Sequence, residues 1–103
     1  MMAKNKILDT IHETMTGAHK AGVVDDLTMR EFDALCLPPI VEYSPAAIQK
    51  IRKRNKASQA VMANYMNMSP SAIQQWERGD RKPKGSSLKL LNLIDRKGLA
   101  ALA

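Results

Sequence analysis

The sequence predicts an all-α fold, in which a short helical arm precedes one small domain. Apolar residues recur at helical spacing in several stretches, and prolines, glycines and capping serines separate these stretches. A length of 103 residues leaves room for one small domain and an arm. Charge also divides the chain, since residues 1–43 carry a net charge of −3 and residues 44–103 one of +9. We therefore expect an arm over residues 1–40 and a basic domain over residues 41–103.

The arm is predicted to contain two amphipathic helices. The first covers residues 4–21, and a shorter helix capped by Thr28 follows it. Pro38 and Pro39 then form a stiff, extended connector. Two short helices cannot bury both apolar stripes on each other, so the arm is expected to dock on the domain, to dimerise or to bind another protein. The residues assigned to this surface are Ile7, Ile11, Met15, Met29, Phe32 and Leu35.

The outer helices of the domain supply much of its predicted core. The first starts at Ser44, which can cap the helix and is followed by a proline that suits the first helical position. The last is capped by Ser86 or Ser87 and carries more apolar residues than one face requires, so it lies centrally in the core or shares a dimer contact. The small apolar tail at residues 99–103 could also pack across a dimer.

Two helices joined by a tight turn are predicted between the outer helices. The first begins at Ser58, and its apolar side includes Tyr65. Asn67 forms the turn, because asparagine tolerates a positive φ better than most other residues. The second begins at Ser69 and ends at Gly79, since glycine adopts the left-handed conformation at little cost.

The second of these two helices has one apolar and one polar face. Ile73 and Trp76 point toward the core, and the outer face carries hydroxyl groups, amide groups and an arginine. These groups can donate hydrogen bonds to base edges and accept hydrogen bonds from them, and none of them repels phosphate. The loop after the helix is basic, which suits contact with a DNA backbone.

The stretch 58–83 resembles a known DNA-binding motif. The matching residues are Ser58-Gln59, Met62-Ala63, Met66, Met68-Ser69, Ile73, Trp76-Glu77, Gly79 and Pro83. In this register they resemble the helix-turn-helix of the lambda-repressor-like (Xre-type) family, which implies a small five-helix DNA-binding domain. The family often has glycine where Lys56 and Asn67 stand here.

The resemblance and the residue types together assign roles to individual side chains. Arg52 is expected to form a partly buried ion pair with Glu77, as the corresponding residues of the family do. The predicted base contacts are Ser69, Ser71, Gln74, Gln75 and Arg78. The predicted phosphate contacts are Ser58, Gln59, Arg81, Lys82 and Lys84.

No enzyme activity, metal site or cofactor is expected. His12 and His19 are seven residues apart without further ligands, so we expect both to be exposed. Cys36 is the single cysteine, which excludes an intramolecular disulfide. Glycine-rich phosphate loops and nucleophile motifs are absent from the sequence. No stretch is long and apolar enough for a bilayer, so we expect a cytoplasmic protein. The resemblance to a DNA-binding family implies in addition a bacterial protein that joins the nucleoid when it binds DNA.

An acidic arm beside a basic DNA-binding domain also resembles HigA-type antitoxins of bacterial toxin–antitoxin operons. A module of this size reads only a few base pairs, so we expect a homodimeric repressor that binds a palindromic operator of double-stranded DNA. The resemblance to HigA-type antitoxins implies that this operator lies in the protein's own operon. It also implies a partner toxin, a small basic RelE/HigB-like protein that cleaves mRNA. The acidic residues that suit such a partner are Asp9, Glu13, Asp25, Asp26, Glu31 and Asp33.

Two alternatives remain open at the level of the sequence. One is a stand-alone or phage-type regulator of the Xre family whose arm only dimerises. The other is a protein-interaction adaptor that keeps the fold without binding DNA. A neighbouring gene for a basic protein of about 100 residues would favour the antitoxin, and a dimer without free apolar surface would favour the stand-alone regulator.

Overall fold

The computed structural model describes residues 2–103, and the side chains of residues 6–103. All regular secondary structure in this part of the chain is helical, as predicted, with six α-helices, one short 3-10 helix and no strand. The structure divides into two compact units, one ending at Pro39 and the other spanning Ile40–Ala103. The helices are α1 (Met2–Lys20), α2 (Asp26–Leu35), α3 (Pro45–Arg54), α4 (Gln59–Met66), α5 (Pro70–Arg78), α6 (Ser86–Lys97) and the 3-10 helix (Leu99–Leu102).

The helix α2 is capped by an aspartate. A carboxylate oxygen of Asp25 accepts a hydrogen bond from the backbone N–H of Thr28 at 2.8 Å. The prediction that Thr28 caps this helix is therefore wrong, and the helix begins two residues before Thr28. The hydrogen bonds from Thr28 lower the pKa of Asp25, because they stabilise its charged form.

The apolar residues of the first unit divide between an inner and an outer set. Met29 is buried, and Met15 and Phe32 are half-buried. Ile7 and Leu35 are 66% and 72% exposed. The exposed set of the first unit and its connector also includes Ile11, Val23, Leu27 and Leu37. The two helices therefore leave a substantial apolar surface uncovered, as their short length led us to expect.

The two histidines of α1 face α2, which corrects the expectation that they are simply exposed. His12 Nε2 lies 2.5 Å from Asp33 Oδ1, and His19 Nε2 lies 2.5 Å from Asp26 Oδ1. The His12 ring also stacks on Phe32, with 6.0 Å between the ring centroids. A seven-residue spacing places both histidines on one side of α1, and the two aspartates share the same spacing on α2.

The core of the second unit combines α3, α4, α5 and α6. In α4, Met62 and Ala63 are fully buried and Met66 nearly so. Tyr65 lies off this face and is 42% exposed, so its assignment to the apolar side is wrong. The other buried apolar residues of this cluster are Ile48, Ile51, Ala57, Ile73, Trp76, Leu91 and Ile94.

The end of the second unit differs from the prediction in its details. The helix α6 starts after Gly85, with no capping hydrogen bond from a side chain, so neither Ser86 nor Ser87 is its cap. The apolar tail forms the 3-10 helix, in which Leu99 and Leu102 pack against the core of their own unit. The domain thus has four α-helices and a short 3-10 helix, where we predicted five helices.

A buried asparagine attaches the segment before α3 to α6. Asn92 is only 3% exposed, and its Oδ1 accepts from the backbone N–H of Val41 at 2.9 Å. Its Nδ2 donates to the carbonyl of Val41 at 3.0 Å and to that of Leu88 at 2.9 Å. All polar atoms of this buried amide therefore have partners, which removes the cost of burying it.

A second polar cluster lies beside Asn92. The Tyr43 hydroxyl donates to Asp95 Oδ2 at 2.7 Å, and Arg54 Nη2 donates to Asp95 Oδ1 at 2.8 Å. Burial and the bond to Asp95 raise the pKa of Tyr43 to about 12. The bonds from Arg54 and Tyr43 lower the pKa of Asp95. These contacts connect the segment before α3, the end of α3 and α6.

In the described part of the chain, no helix has both the length and the apolar character that a bilayer crossing requires.

Candidate nucleic-acid interface

The helices α4 and α5 form a helix-turn-helix whose ends are set by specific residues. The hydroxyls of Ser58 and Ser69 cap α4 and α5, accepting from backbone N–H groups at 3.1 and 3.4 Å. The turn between the helices passes through Asn67, whose φ of 55° and ψ of 52° are left-handed, as predicted. Gly79 ends α5 with a φ of 82°, a conformation that favours glycine.

The helix α5 presents a polar face that the core holds in position. Ile73 and Trp76 anchor the opposite face in the core, where both are buried. The outer side chains of Ser71, Gln74 and Arg78 are exposed, and so is Ser69 at the cap. Five donor- or acceptor-bearing residues predicted to contact bases thus lie on or next to one helix, and four of them are exposed.

Gln75 is the exception among the predicted base contacts, because it is half-buried. Neighbouring atoms therefore cover part of this residue, whereas Gln74 is exposed. Its backbone carbonyl also accepts from the N–H of Gly79 and, at 3.0 Å, from that of Asp80. Gln74 is therefore the more accessible of the two amides for contact with a base edge.

Arg78 is paired with an acidic side chain that the sequence analysis did not assign. Arg78 Nη2 lies 3.0 Å from Asp80 Oδ2, and both side chains are 58% exposed. The outer face of α5 carries no acid of its own, but Asp80 follows the helix after a single glycine and reaches back to its last residue. The guanidinium at this end of α5 therefore has an anionic neighbour.

An ion pair fixes α5 to α3. Arg52 Nε and Nη2 donate to the two carboxylate oxygens of Glu77 at 2.6 and 2.8 Å. The two side chains are only 12% and 6% exposed, and Arg52 Nη1 also donates to the carbonyl of Ala57 at 3.1 Å. The bond from Arg52 is the main reason why the pKa of Glu77 is lowered, and the bond to Glu77 raises the pKa of Arg52.

Gln59 extends this ion pair to the start of α4. Its Nε2 donates to Glu77 Oε1 at 3.3 Å, and the residue is half-buried. A primary amide has two N–H donors, so one remains for a phosphate. Ser58 is exposed and uses its oxygen lone pairs for the cap, which leaves its hydroxyl proton as a donor. Both predicted phosphate contacts are thus compatible with the internal hydrogen bonds.

The basic loop after α5 is anchored by a buried proline. Pro83 is buried, whereas Arg81, Lys82 and Lys84 on either side of it are exposed. These three residues line a groove of about 540 Å³, together with Trp76 and the acidic Glu42. The loop therefore holds three cations next to the end of α5, in an arrangement suited to the phosphates of a duplex.

Sequence reasoning missed the polar residues that support this surface from behind. Asn92 lies four residues after Leu88, within the apolar stripe of α6, and this position could have indicated a buried amide. The cluster of Tyr43, Arg54 and Asp95 has no comparable local pattern, because its members come from three separate segments. Among the described residues, no group of three or more potential metal ligands occurs.

Two comparisons with known proteins found similarity to this chain. The family described as "Helix-turn-helix" matches residues 48–93. The chain is also similar to Antitoxin HigA-2 of Vibrio cholerae serotype O1 (strain ATCC 39315 / El Tor Inaba N16961), with 34% identity over 53 residues. The similar region covers 52% of this chain and 51% of that protein, so the match spans about half the length of this curated relative.

Proposed function

We propose that the chain is a sequence-specific transcriptional repressor that binds double-stranded DNA, and the match of residues 48–93 to the helix-turn-helix family supports this proposal. The observation that carries the proposal is the exposed polar face of α5, held on a buried apolar face and followed by a basic loop. In this proposal α5 enters the major groove, where hydroxyl, amide and guanidinium groups distinguish base pairs.

The proposed contacts fall into two classes. Gln74 has the donor and acceptor needed for a bidentate contact, for which adenine is the favoured base, and Ser69, Ser71, Gln75 and Arg78 would complete the base-reading set. Backbone contacts would come from both ends of the motif, where Ser58 and Gln59 start α4 and the basic loop follows α5. The residues proposed for the loop contacts are Arg81, Lys82 and Lys84.

Two copies of the domain would act together on a palindromic operator. A single module of this size reads only a few base pairs, which gives too little discrimination against the many other sites in a genome. A homodimer doubles the contacts when its two half-sites lie about one helical turn apart. We therefore propose a homodimeric repressor.

A binding selection tests the proposed DNA contacts. The full chain would be used to enrich duplexes from a random pool at low salt, and the affinity for the enriched duplex would then be measured. Gln74→Ala should weaken that affinity by about 1–3 kcal/mol and relax the preference at one base pair. Gln49→Ala, which removes an exposed amide from α3, is the matched control and should have no effect. Failure of the wild-type chain to retain any duplex would overturn the proposal.

The salt dependence tests the proposed backbone contacts separately. Lys82→Ala should weaken binding to all sequences alike and reduce the slope of log affinity against log salt by about one. Lys97→Ala, at the end of α6, removes the same charge outside the predicted contact set. A slope that stays the same in Lys82→Ala would mean that the loop does not contact phosphate.

We further propose that the repressor is an antitoxin that neutralises a RelE/HigB-like toxin. The similarity to Antitoxin HigA-2 supports this, although it covers half of each protein. The first 43 residues add support, because they carry a net charge of −3 and several exposed apolar side chains. Such a surface suits a small basic partner that also buries apolar area.

Co-expression tests the antitoxin proposal. The chain should co-purify with the basic protein encoded by the neighbouring gene and restore growth when that protein is toxic. Replacing Ile7 and Ile11 together with asparagine should abolish rescue, since both are exposed apolar residues of α1. Val23→Asn changes an even more exposed apolar residue outside the assigned set and serves as the control.

The same apolar surface favours one alternative, a stand-alone regulator whose arm only dimerises. A second copy of the chain could cover Ile7, Ile11 and Leu35 instead of a toxin. In that case, the Ile7 and Ile11 double substitution would convert the dimer to a monomer, as measured by sedimentation equilibrium. A chain that stays dimeric after this substitution, but no longer rescues growth, would exclude the alternative.

A further inference from the structure

An acidic side chain stands at the end of the proposed recognition helix, where the surrounding surface is cationic. The second unit contains four acidic residues, of which Glu42 is exposed and lies before α3. Glu77 is paired with Arg52, and Asp95 accepts hydrogen bonds from Tyr43 and Arg54. Asp80 is predominantly exposed, and of the four it is the one that directly follows α5, beside a surface proposed to approach phosphate. Its position is unfavourable for simple attraction to DNA and needs another explanation.

The backbone of Asp80 is held in place by the end of α5. Its N–H donates to the carbonyl of Gln75 at 3.0 Å, and the next N–H, that of Arg81, donates to the same oxygen at 3.4 Å. Gly79 makes this close return possible through its positive φ. The carboxylate is thereby directed at the last residue of the helix, and its Oδ2 lies 3.0 Å from Arg78 Nη2.

We propose that Asp80 is a positioning residue that determines DNA specificity through Arg78. This inference depends on the proposed function, because it assigns a role within the same DNA-binding surface. A guanidinium has five N–H donors, and the contact with Asp80 uses the Nη2 side of the group. The remaining donors can still meet the two acceptors that guanine presents in the major groove, O6 and N7.

The Asp80 carboxylate also makes a contact between Arg78 and phosphate less favourable. An unpaired Arg78 could bind the phosphates of any sequence, which would raise affinity for all DNA alike. With Asp80 beside it, the local charge is neutralised and the carboxylate repels phosphate. Arg78 is then directed toward base edges, so the ratio of specific to non-specific affinity increases although total attraction to DNA decreases.

Exposed ion pairs contribute little to folding stability. Removing the pair of Arg78 and Asp80 should therefore leave the domain folded, and its effect on DNA binding can be measured. The full-length wild type, Asp80→Asn, Arg78→Ala and the double variant would be titrated with the enriched duplex and with a scrambled duplex over a series of salt concentrations. Asp80→Glu retains the charge, and Glu31→Gln removes one exposed acid from the first unit as a control.

Asp80→Asn should bind the scrambled duplex about tenfold more tightly at low salt, with a slope of log affinity against log salt steeper by about one. Its preference for the enriched duplex should fall by a similar factor. In the Arg78→Ala background, Asp80→Asn should change the affinity for the scrambled duplex and the preference for the enriched duplex much less. Asp80→Glu should preserve most of the preference, and Glu31→Gln should leave it unchanged.

Several outcomes would overturn the inference. One is an unchanged preference for the enriched duplex in Asp80→Asn. Another is an equal effect of this substitution with and without Arg78, which would mean that Asp80 acts on DNA only by general charge repulsion. Both outcomes leave the proposed function standing, because the wild type still selects DNA. A wild type that binds no duplex overturns the proposed function and this inference together.

Discussion

At the scale of single residues, the ion pair of Arg52 and Glu77 holds the proposed recognition helix to the rest of the domain. Both side chains are almost completely removed from water and bonded through two donor–acceptor contacts. Burying two charges costs about as much as their attraction returns, so the intact pair is a modest source of stability. Removing one member of the pair should lower stability much more, because it leaves the other charge buried without a partner.

We predict that Glu77→Ala lowers the free energy of unfolding by about 3–5 kcal/mol, because Arg52 is then left uncompensated. Replacing Arg52 with methionine and Glu77 with leucine together should cost much less. Urea denaturation monitored by circular dichroism measures both effects. Arg78→Ala, which breaks the exposed pair with Asp80, should cost no more than about 1 kcal/mol. Similar losses in the single and the double variants would contradict this explanation.

The same carboxylate predicts a pH dependence of stability. The unfolded chain binds a proton at Glu77 near the ordinary pKa of 4.5, whereas Arg52 lowers the pKa in the folded state. The stabilisation is therefore complete above pH 4.5 and is lost as the pH falls through the lower, folded pKa. Thermal unfolding from neutral to acidic pH should show this loss. Glu77→Gln should be less stable at neutral pH and have a shallower acid dependence; an unaltered dependence would contradict the assignment.

The residues of the candidate site could be predicted only as far as helix periodicity extends. Periodicity separates Ile73 and Trp76 from Gln74 and Arg78, and the structure has the first two buried and the last two exposed. It could not give the partial burial of Gln75 or the bond from Gln59 to Glu77, because both depend on how the helices pack. It also could not give the contact of Asp80 with Arg78, which requires the chain to turn back at Gly79.

At the scale of secondary-structure elements, two left-handed residues shape the connections on either side of α4. Asn67 lies in the turn before α5, and Lys56 lies between α3 and α4 with a φ of 54°. Asparagine tolerates this conformation, whereas lysine has no side-chain group that compensates for the steric cost. The loop before α4 is therefore a site of local backbone strain.

We predict that Lys56→Gly stabilises the domain by about 0.5–1 kcal/mol. Relief of the left-handed strain, about 1–2 kcal/mol, exceeds the added flexibility of glycine in the unfolded chain. Lys53→Gly is the matched control inside α3 and should destabilise by about 1 kcal/mol, because φ is helical there. Thermal and urea unfolding measure both changes. A loss of stability in Lys56→Gly would mean that the lysine side chain compensates for its backbone.

Element types were easier to predict than their ends and contacts. Serine–proline pairs and Gly79 mark the starts of α3 and α5 and the end of α5. The cap of α2 was misassigned because Asp25 and Thr28 can both cap a helix, and only the backbone geometry distinguishes them. The contacts of His12 and His19 could not be predicted, because they require the relative rotation of two helices.

At the scale of the whole molecule, charge and structure divide the chain at nearly the same place. The first 43 residues are acidic and the remainder basic, and the division of the chain into compact units falls between Pro39 and Ile40. A basic unit suits a polyanion, which would repel an acidic unit of the same chain. We therefore assign the two units different partners in the proposed function.

We predict that residues 40–103 fold without the arm and still prefer the enriched duplex, because the core cluster and the polar contacts around α6 lie within them. The same truncated chain should fail to rescue growth from the toxin. Circular dichroism, duplex titration and the growth assay measure these three properties. An unfolded truncated chain would contradict the division into units, and retained rescue would contradict the assignment of the toxin to the arm.

The bonds of the Asn92 amide leave the amino-acid sequence of the connecting segment free to change. The amide's bonds to Val41 involve only main-chain atoms of that residue, so the attachment does not depend on which side chain stands at position 41. Nineteen of the twenty amino acids supply the required N–H, and proline alone does not. Homologous chains could therefore exchange the residue at this junction, and with it the arm that precedes it, without losing the attachment to α6.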